Sequence, residues 1–289
     1  MYKRQVQDLF LNETAMYAHV FLPGSSFLEK NGTFTNAERR ISRVRKVMAP
    51  KNGYEDWEIT QMLSNALGYP MNYKHASEIM DEVAQLTPTF KGVSYEKLDK
   101  LGSIQWPCND EYPEGTPTMH VDEFVRGKGK FFITEYVPTV EKVNGKFPLI
   151  MTTGRILAHY NVGAQTRRTK NIEWHDEDLI EIHPHDAEER GINEQDWVGI
   201  NSRSGDTVLR AKITKKVQPG VVYTTFHHPV SGANVITTDN SDWATNCPEF
   251  KVTAVQVTKV TQPSNWQSKY QKFSEKQIDF VKNGEEKVN

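Results

Sequence analysis

The sequence is poor in cysteine and has no long apolar run. Its 289 residues include two cysteines, Cys108 and Cys247, and neither belongs to a C-x-x-C pair. Such isolated thiols do not support a cysteine-bound zinc or iron–sulfur centre, and they are most simply free thiols in a reducing compartment. No stretch approaches the roughly 20 apolar residues that span a bilayer, and no secretory leader is recognisable. We therefore expect a cytoplasmic protein without a membrane span.

The sequence also lacks an excess of charge of either sign. It contains 35 Lys and Arg against 37 Asp and Glu, so there is no global electrostatic signal for nucleic acid. Nine histidines are present, including His183 with His185 and the pair His227-His228. Neither group has a carboxylate-bearing metal motif around it. The sequence therefore predicts no metal ligand and no nucleic-acid partner.

The most informative stretch runs from Phe147 to Arg168. It reads FPLIMTTGRILAHYNVGAQTRR, an apolar strand that ends in a polar loop. Gly154 lets the backbone approach a ligand closely, and the Arg155 guanidinium suits phosphate oxygens. The rings of His159 and Tyr160 add hydrogen-bonding edges. On chemistry alone, a strand, a turn and a basic surface explain the stretch equally well.

This stretch resembles the segment that opens the C-terminal cofactor domain of molybdopterin oxidoreductases, typically P-L-x-L-x-T-G-R-x-x-x-H-W/Y. A second stretch, Val20 to Pro50, resembles another hallmark of that family, and Ile104 to Cys108 is similar to the I-Q-W-P-C of formate dehydrogenases. The resemblance covers nearly the whole chain. It is strongest to formate dehydrogenase alpha subunits, and nitrate reductases come next.

The strand and helix patterns predict four segments. Residues 1–117 are interpreted as the remainder of an α/β domain at the edge of a parallel sheet, with helices at 54–68, 77–85 and 95–101 whose apolar stripes lie in the core. Residues 118–146 are a polar linker. From 147 to 262, short strands and one capped helix indicate a closed β-barrel, which the resemblance implies is of the double-psi type. Residues 263–289 form a helical tail, with the helix over 266–281 ending at Asn283-Gly284.

Several local features carry their own predictions. Residues 32–36 read as a turn, and the basic run over 39–46 reads as a solvated face. Asn36, Glu38 and Arg39 are candidates for structural or cofactor-supporting roles. In the barrel, Asp186 and Glu189 fit a capping box, and Gly191 fits the end of the short helix that they begin.

The resemblance assigns cofactor contacts in three regions: the first loop, the stretch from Phe226 to Asn234, and the pair Phe250-Lys251. Phe226 corresponds to an aromatic residue against the cofactor, Asn234 to a polar position, and Phe250-Lys251 to the pair before the last strand. Each has an ordinary alternative: core for Phe226, a turn for Asn234, surface for Lys251. The remaining contacts come from the first loop: Thr153, Gly154, Arg155, Ile156, Leu157, Ala158, His159, Tyr160 and Asn161.

If these residues form a single binding site, they must lie close together in the folded protein. The loop after Met151, the loop after Thr225 and the entry into the Val252 strand must meet at one rim of the barrel. We expect them to form an open groove there, lined by Phe226 and by hydrogen-bond donors, with few carboxylates.

The function that the resemblance implies is binding of molybdopterin guanine dinucleotide carrying molybdenum or tungsten. The whole enzyme would oxidise formate to carbon dioxide and pass electrons through iron–sulfur clusters to NAD, ferredoxin or another carrier. The family's metal ligand and catalytic residues lie upstream of this sequence, so no catalytic residue is assigned and Cys108 is not expected to be a nucleophile or metal ligand.

We expect a C-terminal fragment, because a folded domain rarely begins as abruptly as this chain does. It would clamp cofactor and be inactive alone. Iron–sulfur clusters would lie only in the upstream region or in iron–sulfur and flavin partner subunits. Two alternatives stay open at this point: the equivalent fragment of a nitrate reductase, and a stand-alone cofactor-binding module without catalysis.

Overall fold

The computed structural model describes residues 3–285, which divide into two compact units with the boundary in the chain between Thr134 and Glu135. The strands are β1 (Gln5–Asp8), β2 (Val20–Pro23), β3 (Gly32–Thr35), β4 (Arg40–Val44), β5 (Ser103–Gln105), β6 (Leu149–Gly154), β7 (Leu179–Ile182), β8 (Trp197–Asn201), β9 (Asp206–Ile213), β10 (Val221–Thr225) and β11 (Thr253–Lys259). The helices are α1 (Asp56–Ala66), α2 (Ala76–Leu86), α3 (Tyr95–Leu101), α4 (Pro184–Glu189), α5 (Ala233–Ile236) and α6 (Asn265–Glu285).

The first unit contains two small sheets. Strands β1 and β2 pair in parallel, as the predicted sheet edge requires, whereas β3, β4 and β5 form an antiparallel sheet. The prediction of a turn at residues 32–36 was therefore wrong. The turn lies just after β3, where Asn36 Oδ1 accepts hydrogen bonds from the backbone N–H groups of Glu38 and Arg40, both at 3.0 Å. Arg39 adopts φ +65° there.

The basic side chains over residues 39–46 have hydrogen-bond and ion-pair partners within the first unit. Arg39 donates to backbone carbonyls, including that of Thr116 at 2.9 Å. Both Arg43 and Arg45 pair with Asp99, at 2.9 and 2.6 Å. These contacts give Arg39 and its neighbours a structural role, and they account for the run without a ligand.

The three predicted helices of the first unit are present, but α1 departs from its predicted packing. Ile59 is buried, whereas Met62, Leu63 and Leu67 are 44%, 49% and 77% exposed. The prediction that this whole stripe lies in the core was therefore wrong, and it was also wrong for Leu86 at the end of α2, which is 74% exposed. The buried cluster of this unit is built instead from β4, α2, α3 and β5, with Cys108 fully buried in it: Ile41, Ala76, Met80, Val93, Tyr95, Leu98, Ile104 and Cys108.

Asp56 holds the N-terminus of α1 against the chain before it. Its carboxylate accepts hydrogen bonds from the Ser25 N–H at 2.9 Å and the Gln7 amide at 3.2 Å, and it pairs with Lys30. Burial alone would raise the pKa of Asp56, but the Lys30 ammonium and the Ser25 N–H lower it below its ordinary value. The helix N-terminus also favours a negative charge.

We expect Asp56→Asn to lower the free energy of unfolding by about 1 to 2 kcal/mol at pH 7, because it removes a charge-assisted pair that is only partly buried. A carboxylate whose pKa is depressed by folding stabilises above its unfolded pKa, here 3.8. That contribution is lost as the pH falls through the lower folded value. Urea titrations at pH 7 and below pH 3.8 should therefore show the difference between variant and parent shrinking in acid. A difference independent of pH would contradict this assignment.

The second unit is organised around a closed six-stranded barrel, which confirms the predicted closed barrel. Its strand order is β10-β6-β11-β8-β9-β7, with β6–β10 and β7–β9 parallel and the other pairs antiparallel. Alternate residues of each strand point inward, so that β6 reads buried and half-buried in turn. The fully buried side chains of the interior include Met151, Ile180, Ile182, Val198, Ile200, Ala211, Val222 and Val255.

The prediction that Asp186 and Glu189 form a capping box at the start of α4 was wrong. His183 is the cap, and its Nδ1 accepts the N–H of His185 at 3.2 Å. Asp186 lies within the helix, where its buried carboxylate accepts the N–H of Gly220 at 2.8 Å and ties α4 to the turn before β10. Gly191 ends the helix with φ +60°, a conformation that glycine adopts without strain.

Helix α6 packs on the outside of the barrel through its first turns, where the Gln267 amide donates to the Val208 carbonyl at 2.8 Å. The helix runs through Glu285, past the end that was predicted at Asn283-Gly284. The last four residues of the predicted tail, 286–289, lie outside the described residues. None of the helices in the described part of the chain is long and apolar enough to span a membrane.

Candidate functional site

Strand pairing brings the three predicted loops to one rim of the barrel. The ends of β6 and β10 lie side by side because the two strands are parallel, with Gly154 opposite Thr225. Strand β11 runs the other way and places Thr253, at its start, opposite Met151. The chain therefore leaves β6 and β10 and enters β11 at the same edge.

Thr153 links β6 to the entry of β11. Its hydroxyl donates to the Phe250 carbonyl at 3.1 Å, and the Lys251 ammonium donates to the Thr153 carbonyl. Thr153 is buried, whereas Lys251 is exposed. An ammonium has three donors, so Lys251 keeps two for a ligand at the rim.

A second pair lies at the ends of β6 and β10. The Arg155 guanidinium is 5.3 Å from the centre of the Phe226 ring, and the Arg155 carbonyl accepts from the Tyr223 hydroxyl at 3.5 Å. In the same loop, Leu157 and Tyr160 project fully or largely into solvent. This part of the rim thus presents a cation, an aromatic face and a phenol.

Two histidines fix the loop over residues 155–161 rather than facing a ligand. His227 accepts the Ile156 N–H at 3.2 Å and donates from its other ring nitrogen to the Asn161 carbonyl. His159 is buried, with Nε2 donating to the His175 carbonyl at 2.6 Å and Nδ1 3.1 Å from the Thr166 hydroxyl. Both ring nitrogens of His159 thus have partners within the protein. His159 was predicted to contact the cofactor, but it is buried rather than presented at the surface.

An open groove of about 770 Å³ lies beside Phe250 on the second unit. Asn234 and Phe250 both line it, whereas Arg155, Phe226 and Lys251 do not, so the prediction that Phe226 lines this groove was wrong. The groove also holds two carboxylates, Glu141 and Asp239, where few were expected. Glu141 is buried, pairs with Arg203 at 2.9 Å and accepts a hydrogen bond from the Ala254 N–H at 2.9 Å.

Gly154 is required at the end of β6 by the Tyr223 ring. A Cβ placed on Gly154 would lie 2.5 Å from the Tyr223 hydroxyl and 2.6 Å from a ring carbon. We expect Gly154→Ala to cost about 1 to 3 kcal/mol through overpacking. Thermal denaturation measures this, with Gly145→Ala as control because nothing lies within 4 Å of a Cβ there. Equal midpoints for the two variants would argue against the steric role.

A polar cluster that sequence reasoning missed lies beneath this loop. Asp178 is fully buried and accepts hydrogen bonds from the Thr225 hydroxyl and from the N–H groups of His227 at 3.2 Å and His228 at 2.8 Å. Burial alone would raise the pKa of Asp178, but contacts with His228 and Thr225 outweigh it and lower that pKa. Burial also lowers the pKa of His175, which favours the neutral imidazole. Fifty residues separate Asp178 from His228, so no local motif joined them.

Comparison with known proteins places both units in one family. Residues 149–254 match the family model described as the Molydopterin dinucleotide binding domain, and residues 5–66 match that of the Molybdopterin oxidoreductase. The chain is 40% identical over 261 residues to the F420-dependent formate dehydrogenase 1 subunit alpha of Methanococcus maripaludis, a match that covers 88% of this chain and 39% of that protein. It is 42% identical, with the same coverage, to the F420-dependent formate dehydrogenase subunit alpha of Methanocaldococcus jannaschii.

A solved structure supports the fold over most of the chain. Acetylene hydratase from Pelobacter acetylenicus superposes with a TM-score of 0.65 at 16% identity, covering 89% of this chain and 40% of that one. The likeness is one of fold alone at this identity, and the chain spans 39% of the length of the two methanogen relatives. The two family models, the relatives and the closed barrel agree, and the chain belongs to the molybdopterin oxidoreductases.

Proposed function

We propose that this chain is the dinucleotide-binding portion of a formate dehydrogenase alpha subunit, and that it holds molybdopterin guanine dinucleotide carrying molybdenum or tungsten. Both methanogen relatives are formate dehydrogenase alpha subunits by name. Formate oxidation, iron–sulfur clusters and electron-transfer partner subunits belong to this proposal for the whole protein. The names of the relatives make F420 a candidate electron acceptor.

The observation that supports this proposal most directly is the meeting of distant residues at one rim. Thr153 contacts Phe250 and Lys251, which lie almost a hundred residues away, and Arg155 faces Phe226 across the parallel strand pair. An ordinary solvent-exposed surface does not require cations and aromatic rings from three separate loops to lie together, whereas a binding site does.

The donor set at the rim fits the proposed ligand. Arg155 and Lys251 supply cations for a pyrophosphate, and Phe226 supplies a ring face. In the groove, the Asn234 amide and the Asp239 carboxylate suit the donors and acceptors on the edge of a guanine. The bound group supplies the redox chemistry, while these residues bind and orient it.

The direct test is the content of the chain purified from a host that makes the cofactor. Acid hydrolysis should release about one GMP per chain, and mass spectrometry should find molybdenum or tungsten in proportion. Chain purified from a host unable to make the pterin is the control and should yield neither. Absence of GMP from chain made in the competent host, with the barrel shown to be folded by circular dichroism, would overturn the proposal.

A further inference from the structure

We propose that His175, Asp178 and His228 form a three-ligand site for a divalent transition metal, with zinc as the best-fitting ion. One ligand atom from each residue lies within 4.8 Å of the other two. The site belongs wholly to the second unit and is separate from the rim residues assigned to the dinucleotide. It does not depend on the function proposed above.

The distances suit tetrahedral coordination. His228 Nδ1 lies 3.3 Å from Asp178 Oδ1, and His175 Nε2 lies 3.7 Å from the same oxygen. Ligands at the usual zinc distance of about 2.0 to 2.2 Å stand about 3.3 to 3.6 Å apart at the corners of a tetrahedron. Two edges of the site are therefore close to their final length, and the third, between His175 and His228, is no longer than 4.8 Å.

His228 provides the independent sign that a ligand belongs here. The residue is 6% exposed, yet neither ring nitrogen makes a hydrogen bond, and the 3.3 Å approach of Nδ1 to Asp178 lacks hydrogen-bond geometry. A buried polar group without a partner costs about 1 to 3 kcal/mol. A metal ion between His228 and Asp178 would satisfy the Nδ1 atom.

The neighbouring histidines do not compete for the ion. His159 and His227 each have both ring nitrogens occupied, by backbone groups and, for His159, by the Thr166 hydroxyl. His175 is different, because its Nε2 has only the Thr225 hydroxyl at 3.5 Å and Asp178 nearby. Its side chain is 20% exposed, which leaves a way for a water molecule to reach the fourth position.

The ligand types select the class of ion. Two imidazoles and one carboxylate suit zinc and other borderline metals, whereas magnesium and calcium prefer oxygen ligands alone. Bound zinc would tie the segment before β7 to the turn after β10. Since the His175 carbonyl accepts the bond from His159, the ion would also stiffen the loop that carries Arg155.

The test is zinc binding by the untagged chain after chelator treatment, measured by competition with a chromophoric chelator. We expect one zinc per chain, and a loss of at least about 10- to 100-fold in affinity for His175→Gln and for His228→Gln, the range seen when even an outer partner of a metal ligand is removed. The control is His185→Gln, because His185 is a surface histidine near Glu189 at 3.8 Å. It should bind zinc as the parent does.

Cobalt provides a second readout. Cobalt(II) bound to the parent and to His185→Gln should show the visible absorption of a tetrahedral site, which His175→Gln should lack. Zinc should raise the thermal midpoint of the parent but not of His175→Gln, and magnesium should raise neither. If His228→Gln does not fold, the His175→Gln variant still tests the proposal, because His175 is partly exposed. Failure of the parent to bind zinc, or unchanged affinity in His175→Gln, would overturn the proposal and leave the dinucleotide site untouched.

Discussion

Replacing Lys251 by alanine should lower the amount of dinucleotide that the purified chain retains by roughly 10- to 100-fold. A charge-assisted hydrogen bond contributes about 1.5 to 3 kcal/mol, and each 1.4 kcal/mol is about tenfold in affinity. The substitution also removes the bond from the ammonium to the Thr153 carbonyl, which holds the entry of β11 to the end of β6. GMP released per chain, with molybdenum or tungsten content, measures the loss.

Two further variants make this result specific. Lys259→Ala is the matched control, because Lys259 lies at the opposite end of β11 and pairs with Asp196 at 2.8 Å. It should retain the parent's cofactor content. Arg155→Ala, on the same rim as Lys251, should lose cofactor to a similar extent. Full retention in both Lys251→Ala and Arg155→Ala would refute their role with phosphate.

Removing the His227 side chain should loosen the loop over residues 155–161 and destabilise the barrel. His227→Ala leaves the Ile156 N–H and the Asn161 carbonyl without their buried partner, at about 1 to 3 kcal/mol for each group that stays unsatisfied. Because His227 is fully buried, the variant also leaves a cavity, which adds to the loss.

Amide hydrogen exchange distinguishes loosening of the loop from a general loss of stability caused by a cavity in the core. Val222→Ala is the control, because Val222 is also fully buried, in the strand β10 that leads to His227, and makes no side-chain hydrogen bond to the loop. At matched unfolding free energy, amides 156–161 should exchange faster in His227→Ala than in Val222→Ala. Equal exchange in this loop would mean that His227 contributes only packing.

The sequence by itself determined the helices of the first unit, most strands of the barrel and the family to which the chain belongs. The apolar run over 148–151 indicates a buried strand, and the alternation of apolar and polar residues within 208–213 indicates another, because successive side chains of a strand point to opposite faces. Helical spacing in 56–66 and 76–86 likewise specifies helices. The T-G-R loop and the Phe250-Lys251 pair identified the rim residues, whose role toward cofactor stays a prediction.

Only the tertiary structure decided which polar residues meet. His183, not Asp186, caps α4, because the helix begins at Pro184, and the Asp186 carboxylate accepts the Gly220 N–H instead. Burial of α1 could not be read from its stripe, because exposure depends on what packs against the helix. The cluster of His175, Asp178 and His228 depends on closure of the barrel, which brings the segment before β7 beside the turn after β10. Contacts between residues fifty positions apart cannot be predicted from their spacing in the sequence, because they form only when the barrel closes.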